Sequence, residues 1–200
     1  MILKICGITN PEDAAAAVAG GASALGFNFY PQSPRYVAPE RAAKIATPKD
    51  VRRVGVFVNE TRERIEEIAR IARLDVAQLH GDEQIAEYPD TITVWKAARV
   101  GSAFDFSLYA DCPAEALVLD GPAGKLYGGS GQTFDWRQVA TAPKRVILAG
   151  GLDASNVAEA IVIARPWGVD ACSRLERQPG KKDHDKMNAF LTAAQAAFHI

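Results

Sequence analysis

One feature constrains this chain more than any other: short apolar runs alternate with amphipathic stretches from end to end. The runs fall at 3–6, 24–29, 53–58, 76–79, 93–97, 116–119, 145–149 and 169–171. Their length and β-branched content read as strands. The intervening segments mostly read as helices. Residues 11–19 follow Asn10 as N-cap, with Pro11 at the first helical position and acids in the first turn. Residues 39–45 repeat the proline-plus-acid start, and 61–70 set Glu and Arg on one face against Ile65, Ile68 and Ala69 on the other. Residues 154–164 begin after Asp153, and 183–197 end the chain. A fifth helix near 103–109 is the weakest and reads equally as a loop. Strands alternating with helices, with few hairpin signals, specify parallel βαβ units. Eight units favour closure into a single (βα)8 TIM barrel, α/β in class, over an open doubly wound sheet.

Composition fits that reading and narrows the partners. The chain has 200 residues, 48% hydrophobic, enough for one barrel core with no Ser/Gly linker to divide it. Residues 1–200 are therefore expected to form one catalytic domain. Net charge is −1, which offers no field for nucleic acid or an anionic membrane. No apolar run approaches the roughly 20 residues of a membrane span. The start, Met1-Ile2-Leu3-Lys4, lacks the features of a signal peptide. Cys6, Cys112 and Cys172 show neither CxxC nor metal-ligand spacing, so a reducing, cytoplasmic setting is expected, with no metal. The sequence does not fix the oligomeric state; monomer and homodimer both remain open.

In a barrel the reactive face lies at the C-terminal strand ends, and side chains alternate inward and outward. In the first run Leu3 and Ile5 share one face, expected to meet the helices. Lys4 and Cys6 then point inward, with Cys6 at the rim. In the sixth, Asp120 ends an inward row with Ala116 and Val118. Gln78 shares a face with His80, and Gly168 with Asp170. Lys96 is read as inward, and Lys4, Lys96 and Asp170 as mutual partners, since interior charges need them. Taken singly, each rim residue has a plain reading: Cys6 as a small core hydrophobe, Asp120 as a turn residue, His80 as a strand-end cap, Arg35 as a loop arginine. Cys112 and Cys172 show no partner for chemistry. Together the rim residues set one candidate base, one candidate acid and one anion-binding arginine around one mouth.

Two glycine clusters add to this. Gly150-Gly151 ends the seventh run, and Ser173-Arg174 follows the eighth. Loops after strands seven and eight commonly bind phosphate in barrels. A second cluster, Tyr127-Gly128-Gly129-Ser130-Gly131, is expected to form a loop that closes over a ligand. Neither matches a nucleotide-binding signature.

With these residues in view, the chain resembles the phosphoribosylanthranilate isomerases of tryptophan biosynthesis. Lys4-Ile5-Cys6-Gly7-Ile8-Thr9 looks like the family's opening motif. The resemblance continues through Gly26-Phe27-Asn28-Phe29-Tyr30-Pro31 with Ser33-Pro34-Arg35-Tyr36, Val54-Gly55-Val56-Phe57-Val58-Asn59 and Gln78-Leu79-His80-Gly81-Asp82-Glu83. It extends through Leu119-Asp120, Gly128-Gly129-Ser130-Gly131, Ala149-Gly150-Gly151-Leu152 and Pro179-Gly180-Lys181-Lys182-Asp183. The resemblance implies a cofactor-free Amadori rearrangement of a small phosphosugar substrate, N-(5-phosphoribosyl)anthranilate. It implies Cys6 as general base, Asp120 as general acid, and Arg35 on the anthranilate carboxylate. Gly150, Gly151 and Ser173 fall in its phosphate loops, and His80 and Asp170 are expected to line the substrate site. Free Asp titrates near ~3.9 and free Cys near ~8.5, so both roles need shifted values. Burial is expected to raise Asp120; Lys4 or helix N-termini are expected to lower Cys6.

One departure stands out. The family pattern after the eighth strand is Ser-Ser-Gly, then an aliphatic residue and Glu; this chain reads Cys172-Ser173-Arg174-Leu175-Glu176. If the position needs left-handed dihedrals, Arg174 costs about 1–2 kcal/mol. The alternative, favoured here, is that Arg174 adds a charge-assisted contact to phosphate. Two other functions fit part of the pattern. Related phosphosugar isomerases on this barrel often use paired aspartates, and Cys6 argues against that class. A sugar-phosphate-binding protein needs the anion cup but not Cys6 together with Asp120.

Overall fold

The computed structural model describes residues 1–101, 104–121 and 134–199. Eight strands pair in chain order, every neighbour parallel, and close into a barrel. They are β1 (Ile2–Ile5), β2 (Ala24–Asn28), β3 (Arg52–Phe57), β4 (Val76–Leu79), β5 (Thr93–Arg99), β6 (Ala116–Asp120), β7 (Arg145–Leu148) and β8 (Gly168–Ala171). The seam joins the two ends of the chain, with Ile2 opposite Gly168 and Lys4 opposite Asp170.

The alternation read from sequence sorts side chains into two layers. Ile2, Ala24, Val54, Val76, Trp95, Ala97, Ala116, Val118, Ile147 and Ala149 pack inside the barrel. Leu3, Ile5, Leu25, Phe27, Leu117 and Leu119 belong to the outer layer, shared with the helices. Each fully buried aliphatic or aromatic side chain contributes about 1.5–3 kcal/mol of transfer free energy. Low in the barrel, Trp95 meets Trp167 edge-on at 6.0 Å, and the Arg52 guanidinium lies over both rings. That aromatic floor leaves the C-terminal mouth for chemistry.

The helices are α1 (Pro11–Ala19), α2 (Pro39–Lys44), α3 (Arg62–Ala72), α4 (Val157–Ala164) and α5 (His184–Phe198). Asn10 caps α1 by accepting from the Asp13 N–H, and Thr61 caps α3 through the Arg64 N–H. Between β4 and β7 the described connections carry only short 3-10 turns, at Ile85–Glu87, Phe106–Tyr109 and Trp136–Thr141. The expected weak fifth helix is the second of these. Pro89 explains the first, because Tyr88 before it is held extended and no helix continues. Expected α4 starts one turn late. Asp153 is occupied by the Ser155 N–H and hydroxyl, so Asn156 takes the cap position. After β8 the chain makes an antiparallel hairpin, β9 (Glu176–Gln178) and β10 (Lys181–Lys182), turned by Pro179-Gly180 with Gly180 at φ 78°. The glycine cluster at 127–131 lies outside the described residues.

Candidate active site

Every residue picked from the sequence as a site candidate lines one cavity at the C-terminal mouth: Cys6, Arg35, His80, Asp120, Gly150, Gly151, Asp170, Ser173 and Arg174. They come from loops or strand ends of six different units, so only barrel closure assembles them.

Cys6 follows β1, and its N–H donates to the Ala171 carbonyl at 3.0 Å, extending the seam by one residue. Lys4 below it is fully buried and donates to Asp170 Oδ2 at 2.8 Å. A Cβ placed on Gly26 would lie 2.8 Å from Cys6 Sγ and 3.1 Å from Lys4 Nζ. The missing side chain thus provides the space in which thiol and ammonium converge. Cys6 sits well below an ordinary thiol. A hydrogen bond from Cys172 is the largest cause; burial opposes it, and the positive charges of Lys4 and Lys182 assist it. Lys4 is held above its ordinary value although burial alone would lower it, because the Asp170 carboxylate and Cys6 favour the ammonium.

Asp120 ends β6 on the inner row with Ala116 and Val118, as the alternation requires, and is nearly buried. Burial pushes Asp170 up to about 7; Lys4 opposes this, while the negative charges of Cys6 and Asp120 add to it. His80 is pushed down to about 4 by burial, reinforced by Lys4, Arg99 and Lys96 and opposed by Cys6. Its imidazole is therefore neutral at physiological pH. The Gln78 amide nitrogen lies 3.3 Å from His80 Nδ1, which assigns Nδ1 as acceptor and places the proton on Nε2. Nε2 is buried and has no hydrogen-bond partner among the described residues, so it is a donor available to a ligand.

Arg35 reaches the mouth from the loop after β2. Its Nε and Nη2 grip Glu176 at 2.8–3.1 Å. Glu176 also accepts from the fully buried Lys182 at 3.1 Å. Gly7 permits this packing: a Cβ there would meet Arg35 Cδ at 2.8 Å and Cys172 Sγ at 2.9 Å.

Gly150 and Gly151 adopt φ of 83° and 64°, backbone conformations that favour glycine, and both line the cavity. Asn156 fixes that loop, donating to the Gly151 carbonyl and accepting from the Asp153 N–H. Ser173 opens a single 3-10 turn across the mouth, and Arg174 follows it with an ion contact to Asp153 at 3.4 Å.

Two sequence expectations are corrected and one alternative is decided. Lys96 is not inward and does not meet Asp170. Trp95 and Ala97 take the interior, so Lys96 falls on the outer row and donates to Glu83 at 2.6 Å and the Gly81 carbonyl at 2.7 Å. Arg174 is not strained, since the positive-φ residues other than glycine among those described are Asn59, Arg73 and Arg165. Cys172 does have a chemical neighbour, Cys6. Sequence pattern also passes over Glu176 and Lys182, although the Pro179-Gly180 turn between them is a hairpin signal.

Fold and mouth define a (βα)8-barrel enzyme that moves protons on a small anionic substrate. The family model for N-(5′-phosphoribosyl)anthranilate isomerase matches residues 3–193. The isomerase of that name from Solibacter usitatus is 66% identical over 197 residues, covering 98% of each chain. The crystal structure of phosphoribosyl anthranilate isomerase from Thermotoga maritima superimposes with a TM-score of 0.89 at 41% identity, over 98% of this chain and 100% of that one. A phosphoribosyl anthranilate isomerase in complex with reduced 1-(o-carboxyphenylamino)-1-deoxyribulose 5-phosphate superimposes at 0.86 with 40% identity, over 98% of this chain and 100% of that one. This chain belongs to the N-(5′-phosphoribosyl)anthranilate isomerase family.

Proposed function

We propose that residues 1–200 act as one catalytic barrel that converts N-(5-phosphoribosyl)anthranilate to 1-(2-carboxyphenylamino)-1-deoxyribulose 5-phosphate in tryptophan biosynthesis. The observation that carries the reading is the meeting of an acidified thiol, Cys6, with a second acid, Asp120, in one cavity. Asp120 gives a proton to the ribose ring oxygen. The C1′–O bond breaks as the amine lone pair forms a protonated Schiff base. The C2′ proton is now acidic, and the Cys6 thiolate removes it; the freed electron pair forms C1′=C2′ and neutralises the nitrogen. Ketonisation adds one proton at C1′ and removes one from the 2′-hydroxyl. Protons balance, and carbon oxidation is redistributed within the substrate.

The remaining roles follow from chemistry. Glu176 occupies Arg35 Nε and Nη2, which leaves Nη1 as donor to the anthranilate carboxylate. The Gly150 and Gly151 N–H groups, with Ser173 and the Arg174 side chain, suit the phosphate. His80 Nε2 offers a neutral donor to a sugar hydroxyl, and Asp170 keeps Lys4 in place beneath the thiol. A cytoplasmic setting suits the scheme, because an oxidised Cys6 could not act as base. Assembly as monomer or homodimer is a matter for size-exclusion measurement; one solved structure from Thermotoga maritima is described as monomers generated from a dimeric phosphoribosylanthranilate isomerase.

The test generates the labile substrate in situ from anthranilate and phosphoribosyl pyrophosphate with a transferase. Its disappearance is followed optically with the protein, without it, and with Cys6→Ser. Rapid consumption by the native protein and loss of nearly all turnover in the variant are expected. Near-full turnover by Cys6→Ser removes Cys6 as base, and no consumption by the native protein removes the substrate assignment.

A further inference from the structure

Barrel closure sets two cysteines side by side. The β1–β8 register runs Lys4 to Asp170 and Ile5 to Ala171, and the Cys6 N–H continues it onto the Ala171 carbonyl. One residue further, Cys6 and Cys172 are therefore cross-strand neighbours. Lys4 and Asp170 meet inside the barrel, and by alternation the residues two further along each chain turn the same way. Both thiols accordingly line the mouth.

We propose that Cys172 is a positioning residue for the reaction: its thiol donates a hydrogen bond to Cys6 and keeps the negative charge on Cys6 rather than on itself.

The surroundings decide which sulfur keeps the proton. The Cys172 thiol has two acceptors in reach, Cys6 and, as a long contact at 3.9 Å, Glu176 Oε1; both hold the proton on Cys172, and a thiolate there would face a carboxylate. Lys182 Nζ is 3.7 Å from the same sulfur, but it also binds Glu176 and the Cys172 carbonyl, each at 3.1 Å. Its charge is shared over three acceptors. Cys6 shares its space with the Lys4 ammonium, which in turn neutralises Asp170 at 2.8 Å. The other charged or titratable groups around the pair are Arg35, whose positive charge favours a thiolate at either sulfur, Asp170 beneath Cys6, Asp120 across the same cavity, and neutral His80. The opposite displacement of the two thiols, Cys6 down and Cys172 up, agrees with one shared proton.

The proposal rests on Cys6 as base, and its test does not need that reading to hold. Iodoacetamide alkylation, resolved by peptide mass spectrometry under single-hit conditions, titrates each thiol in the native enzyme. Cys6 is expected to ionise first; the reverse order overturns the proposal without any variant. Cys172→Ala is expected to raise the Cys6 titration by about one to two pH units, the equivalent of one hydrogen bond to a charged group. Cys172→Ser, which keeps a donor, is expected to restore it. An unmoved Cys6 titration in Cys172→Ala, or an equal shift in both variants, overturns the proposal. The acid limb of kcat/KM should move with the thiol. If the thiol moves and that limb does not, Cys6 is not the base, while the hydrogen bond stands.

Discussion

Replacing Glu176 by Gln tests how the mouth is held together. The Glu176 side chain is 3% exposed and receives three hydrogen-bond contacts from Arg35, at 2.8–3.1 Å, and one from Lys182 at 3.1 Å. The Lys182 side chain is itself fully buried. At an effective dielectric of about 20, one such contact at 3.1 Å is a gross attraction of about 5 kcal/mol, most of it offset by desolvation of the two charges. Glutamine keeps the volume but removes the charge, and its amide turns donors toward donors. Removing one partner of a buried ion pair costs about 3–5 kcal/mol, because the remaining cations stay buried and uncompensated. In a domain of this size that lowers Tm by roughly 10 °C. The effect should depend on pH. Burial alone would raise the Glu176 carboxyl, but Arg35 and Lys182 hold it below the reference value of 4.5. A depressed carboxylate contributes its stability fully above the unfolded value and loses it as pH falls through the folded one. The gap between native protein and Glu176→Gln should therefore be full at neutral pH and shrink below about pH 4.5. Denaturation followed by tryptophan fluorescence across that range checks both points. A neutral-pH loss under about 1 kcal/mol refutes the argument, as does a loss unchanged in acid.

Three further outcomes are expected. Asp120→Asn should leave KM nearly unchanged while removing most of kcat; a rise in KM at preserved kcat would contradict an acid that acts only in the transition state. Arg174→Gly should raise KM and weaken inhibition by inorganic phosphate without lowering Tm, since Arg174 is half-exposed and unstrained; unchanged KM and phosphate inhibition would argue against the contact. Gly168→Ala should destabilise the barrel by about 3 kcal/mol, because its Cβ would lie 2.5 Å from Ile2 Cβ and 2.6 Å from the Ile2 carbonyl at the β1–β8 seam; an unchanged denaturation midpoint would show that the seam can open.

The strand positions, α1, α3, α5 and the inward placing of Lys4, Cys6 and Asp120 were legible in the sequence because each depends on local periodicity and capping. An alternation of two fixes a side chain's face wherever the opposite row is plainly apolar, as with Leu3 and Ile5 around Lys4. It misplaced Lys96, where Trp95 and Ala97 compete for the interior and a large ring wins the space. The late start of α4 was hidden for a similar reason, since Asp153 and Asn156 are both good caps and only the loop geometry chooses between them. The hairpin that carries Glu176 and Lys182 was not read from the sequence, although Pro179-Gly180 is a turn signal, because two short strands between turn residues leave no periodicity. The rim thiol changed most. Sequence alone supplied Cys6, its inward direction and the family resemblance. Only closure of the barrel, which pairs the first strand with the eighth across 166 residues, set Cys172 beside it, whereas the partnership of Lys4 with Asp170 was already expected from the need of interior charges for partners. Periodicity is a property of neighbours along the chain, whereas the charge on a thiol is set by neighbours in space.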